Sequence, residues 1–203
     1  MKGLFKGCLT VPNFLTFSRI VMVPFIALLY LKGEIISAVI LLALSGLTDL
    51  FDGKIARRFN QVSALGKVLD PVADKLTQIT LAVLLFLTFN SANTASLKAF
   101  SWVFLVFILK EAVMVIGGAA MLFIGLRPGA AEIYGKVATF AYYTVMILVI
   151  CFGPEIGAFR SVFVLPEPVM IILVVISAIL TLVAFASYMP GLKKQLKEHF
   201  SKK

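Results

Sequence analysis

The chain has 203 residues, of which 61% are hydrophobic and 14% charged; its mean hydropathy is +1.03, and soluble domains carry about 25% charged residues. That balance excludes a soluble globular protein, and it turns the net charge of +9 into a matter of membrane topology and anionic headgroups rather than nucleic acid. One histidine and two distant cysteines, Cys8 and Cys151, exclude a Cys/His zinc site and a disulfide framework.

Six segments have the roughly 20 mostly apolar residues that a bilayer crossing requires, so the sequence predicts an all-α membrane protein of six transmembrane helices and one domain, 1–203. A juxtamembrane N-terminal segment, 1–11, carries Lys2 and Lys6 along the membrane surface and leads into a first span from about Pro12 to Leu31, which contains Arg19. The second span begins near Ile35, stays apolar to Leu47, and continues through Asp49, Asp52 and Gly53 toward Arg57 and Arg58. A short polar connection precedes the third, from about Lys67 to Phe89. The fourth, about Leu97 to Leu126, holds Lys110 and Glu111 in mid-run, and Arg127-Pro128-Gly129 ends it. The fifth runs from about Gly135 to Phe152, and a loop with Pro154, Pro166 and Pro168 precedes the sixth, about Val169 to Met189. The basic tail 190–203 spaces Leu192, Leu196 and Phe200 among lysines, the pattern of an amphipathic helix on the inner leaflet.

Of the 19 Lys and Arg residues, 13 fall on the side shared by both termini, three on the other, and three within spans (Arg19, Lys75, Lys110). The positive-inside rule therefore puts both termini, and the connection between spans two and three, in the cytosol.

That connection is flanked by acids. An ionised carboxylate at membrane depth costs roughly 2.5 to 3.5 kcal/mol on insertion scales, so four of them between Asp49 and Asp74 require cations or a water-filled cavity. Asp49 and Asp52 (i, i+3) share one helix face, as do Asp70 and Asp74 (i, i+4). If the two helices pair as a hairpin, four carboxylates converge on one cytosolic-side cavity, an oxygen cage suited to hard divalent cations.

Written as a pattern, the stretch is Asp49-x2-Asp52-Gly53-x2-Ala56-Arg57-x8-Gly66-x3-Asp70-x3-Asp74. These eight positions resemble the signature of the CDP-alcohol phosphotransferase family (class I CDP-alcohol phosphatidyltransferases); at ~1/15 usage per residue type they match by chance on the order of once in 10⁹ windows. Pro12-Asn13-x-Leu15-Thr16-x2-Arg19 is also similar to the family's first helix. Gly135-Lys136-x2-Thr139 resembles a segment of phosphatidylglycerophosphate synthase-like members.

The resemblance implies phospholipid biosynthesis: transfer of a phosphatidyl group from CDP-diacylglycerol to an alcohol, with release of CMP. It implies two Mg²⁺ or Mn²⁺ ions on Asp49, Asp52, Asp70 and Asp74, with Asp74 as the base, and CDP contacts at Asn13, Phe14, Leu15, Thr16, Gly53, Arg57 and Ser63. It further implies a homodimer in a bacterial cell membrane with its site facing the cytosol. The expected acceptor is glycerol 3-phosphate, bound by basic residues among Arg19, Lys110, Arg127 and Lys136. Two departures, Lys110-Glu111 for Arg-Glu and Ala138 for a second Lys, keep open a cardiolipin synthase that uses phosphatidylglycerol. Lys110-Glu111 also reads as a self-neutralising pair, and Lys75 as a lysine snorkelling to the interface. A divalent-cation transporter also places carboxylates in the membrane. Its acids would line a path across the bilayer, whereas all four signature aspartates lie toward one side.

Overall fold

The computed structural model describes residues 10–58, 66–124, 126 and 133–201; within its helices the side chains of 50, 52–58, 67, 68, 122, 123, 194, 198 and 200 are not described. The described residues form seven helices: α1 Val11–Leu31, α2 Ile35–Arg58, α3 Gly66–Asn90, α4 Ala95–Ser101, α5 Val103–Phe123, α6 Ile133–Phe152 and α7 Glu167–Ser201. The six-span reading corresponds to α1, α2, α3, α4 together with α5, α6, and α7. Among the described residues, five stretches are long and apolar enough to cross a membrane: Val11–Leu31, Leu69–Asn90, Ala95–Met121, Ile133–Phe152 and Glu167–Lys197. Among the described residues the apolar part of α2 is shorter, Ile35–Asp49, and in the sequence Asp49 and Asp52 interrupt it. It rises about 22 Å at 1.5 Å per residue, against about 30 Å of hydrocarbon.

Helix α1 starts where the Thr10 hydroxyl accepts the Asn13 N–H at 3.4 Å and a proline occupies its first turn, an arrangement that satisfies otherwise orphaned donors. Pro12, Thr16, Arg19, Val23, Ile26 and Tyr30 are buried, a 4-3-4-3-4 spacing that keeps one stripe facing inward. The helix stops at Gly33, whose φ of 82° suits a residue without a Cβ. There the Gly33 N–H reaches the Tyr30 carbonyl at 3.0 Å and the Glu34 N–H the Leu29 carbonyl at 3.0 Å. The tight reversal lays α2 back along α1.

Instead of pairing as a hairpin, α2 and α3 share little direct contact among the described residues; α1 packs along both. On its other side, α3 packs against α4 and α5, while α7 covers α5 and α6. The fourth span is interrupted at Trp102, whose backbone N–H turns to the Phe100 carbonyl, and the Ser101 hydroxyl donates to the Lys98 carbonyl at 2.7 Å. At the opposite end of the chain, α7 continues through Pro190 to Ser201, so the basic tail is an extension of the last span.

An aromatic chain ties these helices together. Phe89 of α3 stacks on Phe104 of α5 with centroids 5.7 Å apart, Phe104 meets Phe100 at 5.5 Å and Phe107 at 6.4 Å, and Phe107 meets Tyr142 of α6 at 5.0 Å. Lipid tails solvate these rings as well as protein does, so what stabilises the bundle is close packing rather than escape from water. Phe104 is 0% exposed, and truncating it leaves a cavity bordered by three rings. Phe104→Ala is expected to cost about 3 kcal/mol, read as a lower unfolding midpoint in a denaturing-detergent titration. A midpoint equal to wild type would show that the aromatic chain does not hold the bundle.

Candidate active site

The reversal at Gly33 sets the height of two side chains. Gly33 lies 14 residues after Arg19 and 16 before Asp49, so on antiparallel helices of equal rise the two come level to within about 3 Å. Nη1 of Arg19 pairs with Oδ1 of Asp49 and lies 3.2 Å from Oδ1 of Asp74, while Nη2 lies 3.7 Å from Oδ1 of Asp70. One turn earlier on the same stripe, the Thr16 hydroxyl donates to Oδ1 of Asp70 at 2.6 Å. A single guanidinium thereby gathers acids from α2 and α3, which otherwise hardly touch.

Burial divides this cluster into two layers. The Arg19 side chain is 3% exposed, whereas Asp49, Asp70 and Asp74 are 46%, 51% and 46% exposed. The cation is sealed inside, and the outer edges of the carboxylates face outward. One positive charge against three negative leaves a surplus of two, before Asp52 is counted. Such a surplus of hard oxygen donors attracts a divalent cation. As they stand, no three acidic, histidine or cysteine side chains among the described residues sit close enough to ligate one ion. The chemistry of the donor set nonetheless fits Mg²⁺ or Mn²⁺, since every candidate ligand is a carboxylate and three of them are already held at one place.

The remaining sequence candidates are distributed unevenly. Asn13 is buried on the stripe that bears Thr16 and Arg19, while Phe14 points away from it and is 71% exposed; Leu15 is half-buried between them. The side chains of Asp52, Gly53 and Arg57 lie outside those described, as do residues Ser63, Arg127 and 1–9. Lys136 is exposed in the first turn of α6. Arg19, a candidate for the acceptor, sits in the aspartate cluster instead.

Lys110 joins a different group. It pairs with Glu111, and the other Glu111 oxygen takes Nζ of Lys75 at 2.6 Å. Lys75 thus turns inward to α5 rather than snorkelling to the surface. The tyrosines of α6 went unremarked in the sequence: the Tyr142 hydroxyl donates to the Gln78 carbonyl at 2.6 Å and the Tyr143 hydroxyl to the Asp74 carbonyl at 3.3 Å. Their only sequence signal is a pair of hydroxyls in an apolar span, each needing a partner. Together these contacts hold the turn of α3 that bears Asp74.

Comparison with known proteins bears on this arrangement. The sequence profile described as CDP-alcohol phosphatidyltransferase matches residues 9–183. The cardiolipin synthase (CMP-forming) of Streptomyces coelicolor is 37% identical over 138 residues, 65% of this chain and 60% of that protein. The probable cardiolipin synthase (CMP-forming) of Drosophila melanogaster is 44% identical over 84 residues, 41% of this chain and 26% of that protein. The CDP-diacylglycerol--glycerol-3-phosphate 3-phosphatidyltransferase of Aquifex aeolicus is 33% identical over 131 residues, 64% of this chain and 70% of that protein. The chain therefore spans less than two thirds of the first two relatives, and no solved structure matches it. Because the profile runs from the start of α1 into α7 and so takes in both helices that carry the acids, the chain belongs to the CDP-alcohol phosphatidyltransferase family.

Proposed function

We propose that the chain is a phosphatidyltransferase of phospholipid biosynthesis, which moves the phosphatidyl group of CDP-diacylglycerol to an alcohol and releases CMP. The observation that carries this reading is the gathering of Asp49, Asp70 and Asp74 around Arg19, with their outer edges exposed. The four signature aspartates would hold Mg²⁺ or Mn²⁺, two ions, which supply neutralisation of the pyrophosphate and of the departing CMP.

The chain's own groups do the rest. Asp74 accepts the proton of the acceptor hydroxyl, whose oxygen forms a bond to the phosphorus that carries diacylglycerol. The bond from that phosphorus to the bridging oxygen breaks, and CMP leaves with its electron pair. Phosphoryl transfer of this kind is mostly positioning and electrostatics. The tyrosine contacts to α3 and the Arg19 cluster serve the positioning. Gly53, Arg57, Ser63 and the Asn13–Thr16 turn are assigned to the CDP moiety, with Thr16 acting through Asp70.

The acceptor is an alcohol that bears phosphate, met by Lys110 and Lys136. Glycerol 3-phosphate is the reading supported by the Aquifex relative, and phosphatidylglycerol the one supported by the Streptomyces relative. The distribution of Lys and Arg supports a cytosolic site, the bacterial relatives support a bacterial cell membrane, and the family resemblance supports a homodimer.

Replacing Asp49, Asp52, Asp70 or Asp74 with Asn is expected to lower turnover by ~10² or more, measured as CMP release from CDP-diacylglycerol. Asp74→Asn retains binding of CDP-diacylglycerol. Full activity in chelator, or a wild-type rate in any of the four variants, would rule out the mechanism. For sidedness, a cysteine introduced at Asn60 in a protein without Cys8 and Cys151 is expected to react with an impermeant thiol reagent only in inside-out vesicles. Labelling from outside sealed cells would reverse the topology.

A further inference from the structure

The connection between α6 and α7 stands at the end of the bundle away from the aspartates, and the transfer step as assigned makes no use of it. An α-helix leaves its last four carbonyls without helical donors. At the end of α6 all of them are taken: Val149 accepts the Gly153 N–H at 2.8 Å, Ile150 that of Ala158 at 3.0 Å, Cys151 that of Phe159 at 2.8 Å and Phe152 that of Leu165 at 2.8 Å. The chain therefore folds back over the end of α6 instead of looping away from it. A glycine permits the close approach, since a Cβ on Gly157 would stand 2.8 Å from the Gly153 oxygen and 2.9 Å from the Phe152 carbonyl carbon. Phe159 and Phe163 then lean on Phe152, with ring centroids 6.1 Å and 5.9 Å away.

What this clasp turns outward is apolar. Val162 is 83% exposed and Phe163 53%, and Val164 beside them is exposed too, a run that gains by leaving water. The Val162 and Phe163 N–H groups both reach the Phe159 carbonyl, at 2.9 Å and 3.1 Å, so these side chains can meet hydrocarbon without stranding their own donors. The tether sets their depth. Helix α6 has 20 residues, about 30 Å at 1.5 Å per residue, which is the thickness of the hydrocarbon layer. Its last turn thus ends at the boundary with the headgroups, and the bond from Leu165 to Phe152 holds the preceding residues at that height. Beyond the loop, Val169, Ile172, Ile176 and Ile179 of α7 are exposed at a 3-4-3 spacing, the stripe that a span presents to lipid. The run from Val162 to Val164 leads directly into it. Arg160, exposed on the same loop, has the length to place its charge among headgroups while its stem lies on apolar surface.

We propose that the loop 153–166 is a membrane anchor: Val162, Phe163 and Val164 insert at the acyl-chain boundary of the leaflet away from the aspartates, and their partner is the lipid surface itself. The inference is independent of the phosphatidyltransferase reading.

The test places a nitroxide on Val162→Cys in the full-length protein without Cys8 and Cys151, reconstituted in phosphatidylcholine vesicles. Its collisions with oxygen, which concentrates in lipid, are compared with those of a water-soluble nickel chelate. Ile172→Cys, on the exposed stripe of α7, is the lipid reference, and Asn93→Cys, in the exposed polar turn at the same end of the bundle, the aqueous one. Oxygen is expected to dominate at Val162 as it does at Ile172. Should Val162→Cys fail to fold, Val164→Cys carries the test with the same expectation. Nickel dominating as at Asn93 would overturn the proposal and make the loop an aqueous one. Few collisions with either reagent would overturn it as well, showing the run covered by protein, such as a second copy of the chain.

Discussion

The structure depends on one buried guanidinium. Arg19 reaches Asp49, Asp70 and Asp74 from α1, while α2 and α3 have little direct contact of their own among the described residues. Three carboxylates so close repel one another, and a cation must offset that repulsion before anything else can bind. A lysine would serve less well, since its point charge lacks the planar fork that lets two nitrogens serve three acids. Burial of the arginine and exposure of the acids also set the direction of approach. A ligand that is attracted to this cluster meets the carboxylates first, from the side opposite α1.

Around this centre, α3 is gripped from several sides. Thr16 and Arg19 hold its acids from α1, Glu111 holds Lys75 from α5, and Tyr142 and Tyr143 hold two of its carbonyls from α6. The aromatic chain running from Phe89 through Phe104 and Phe107 ends at Tyr142, whose ring meets Tyr143 at 5.6 Å. Apolar packing in the middle of the bundle is thus continuous with the polar contacts that set the height and rotation of Asp74. In a bilayer, where apolar side chains gain little by leaving lipid, such contacts supply much of what makes one arrangement unique.

Much of this was legible beforehand. Apolar run length gave the spans, and the i, i+3 and i, i+4 spacing gave the acid faces. The level meeting of Arg19 and Asp49 could have been read too, by counting residues on either side of Gly33. What sequence could not supply was the wedging of α1 between α2 and α3, because spacing says which face is polar and not which helix meets it. Lys75 looked like a surface lysine because it follows an acid near the end of a span; its true partner is 36 positions away on α5. The interruption at Trp102 is a local turn of the backbone, which no apolar count registers. Nor did Pro190 end α7: a proline removes one donor and strains one turn, and the helix on both sides is long enough to tolerate it.

The brevity of α2's apolar run has a mechanical consequence. A segment about 8 Å shorter than the surrounding hydrocarbon is accommodated by thinning the bilayer around it or by drawing headgroups inward, at a fraction of a kcal/mol per Å of mismatch. Placed at the end of the helix that carries Asp49, such a dimple would lower the surrounding headgroups toward the aspartates. A lipid headgroup drawn inward there would come level with the aspartates. Acyl-chain length, acting through membrane thickness alone, becomes a physical control on how readily that headgroup comes within reach of the aspartates.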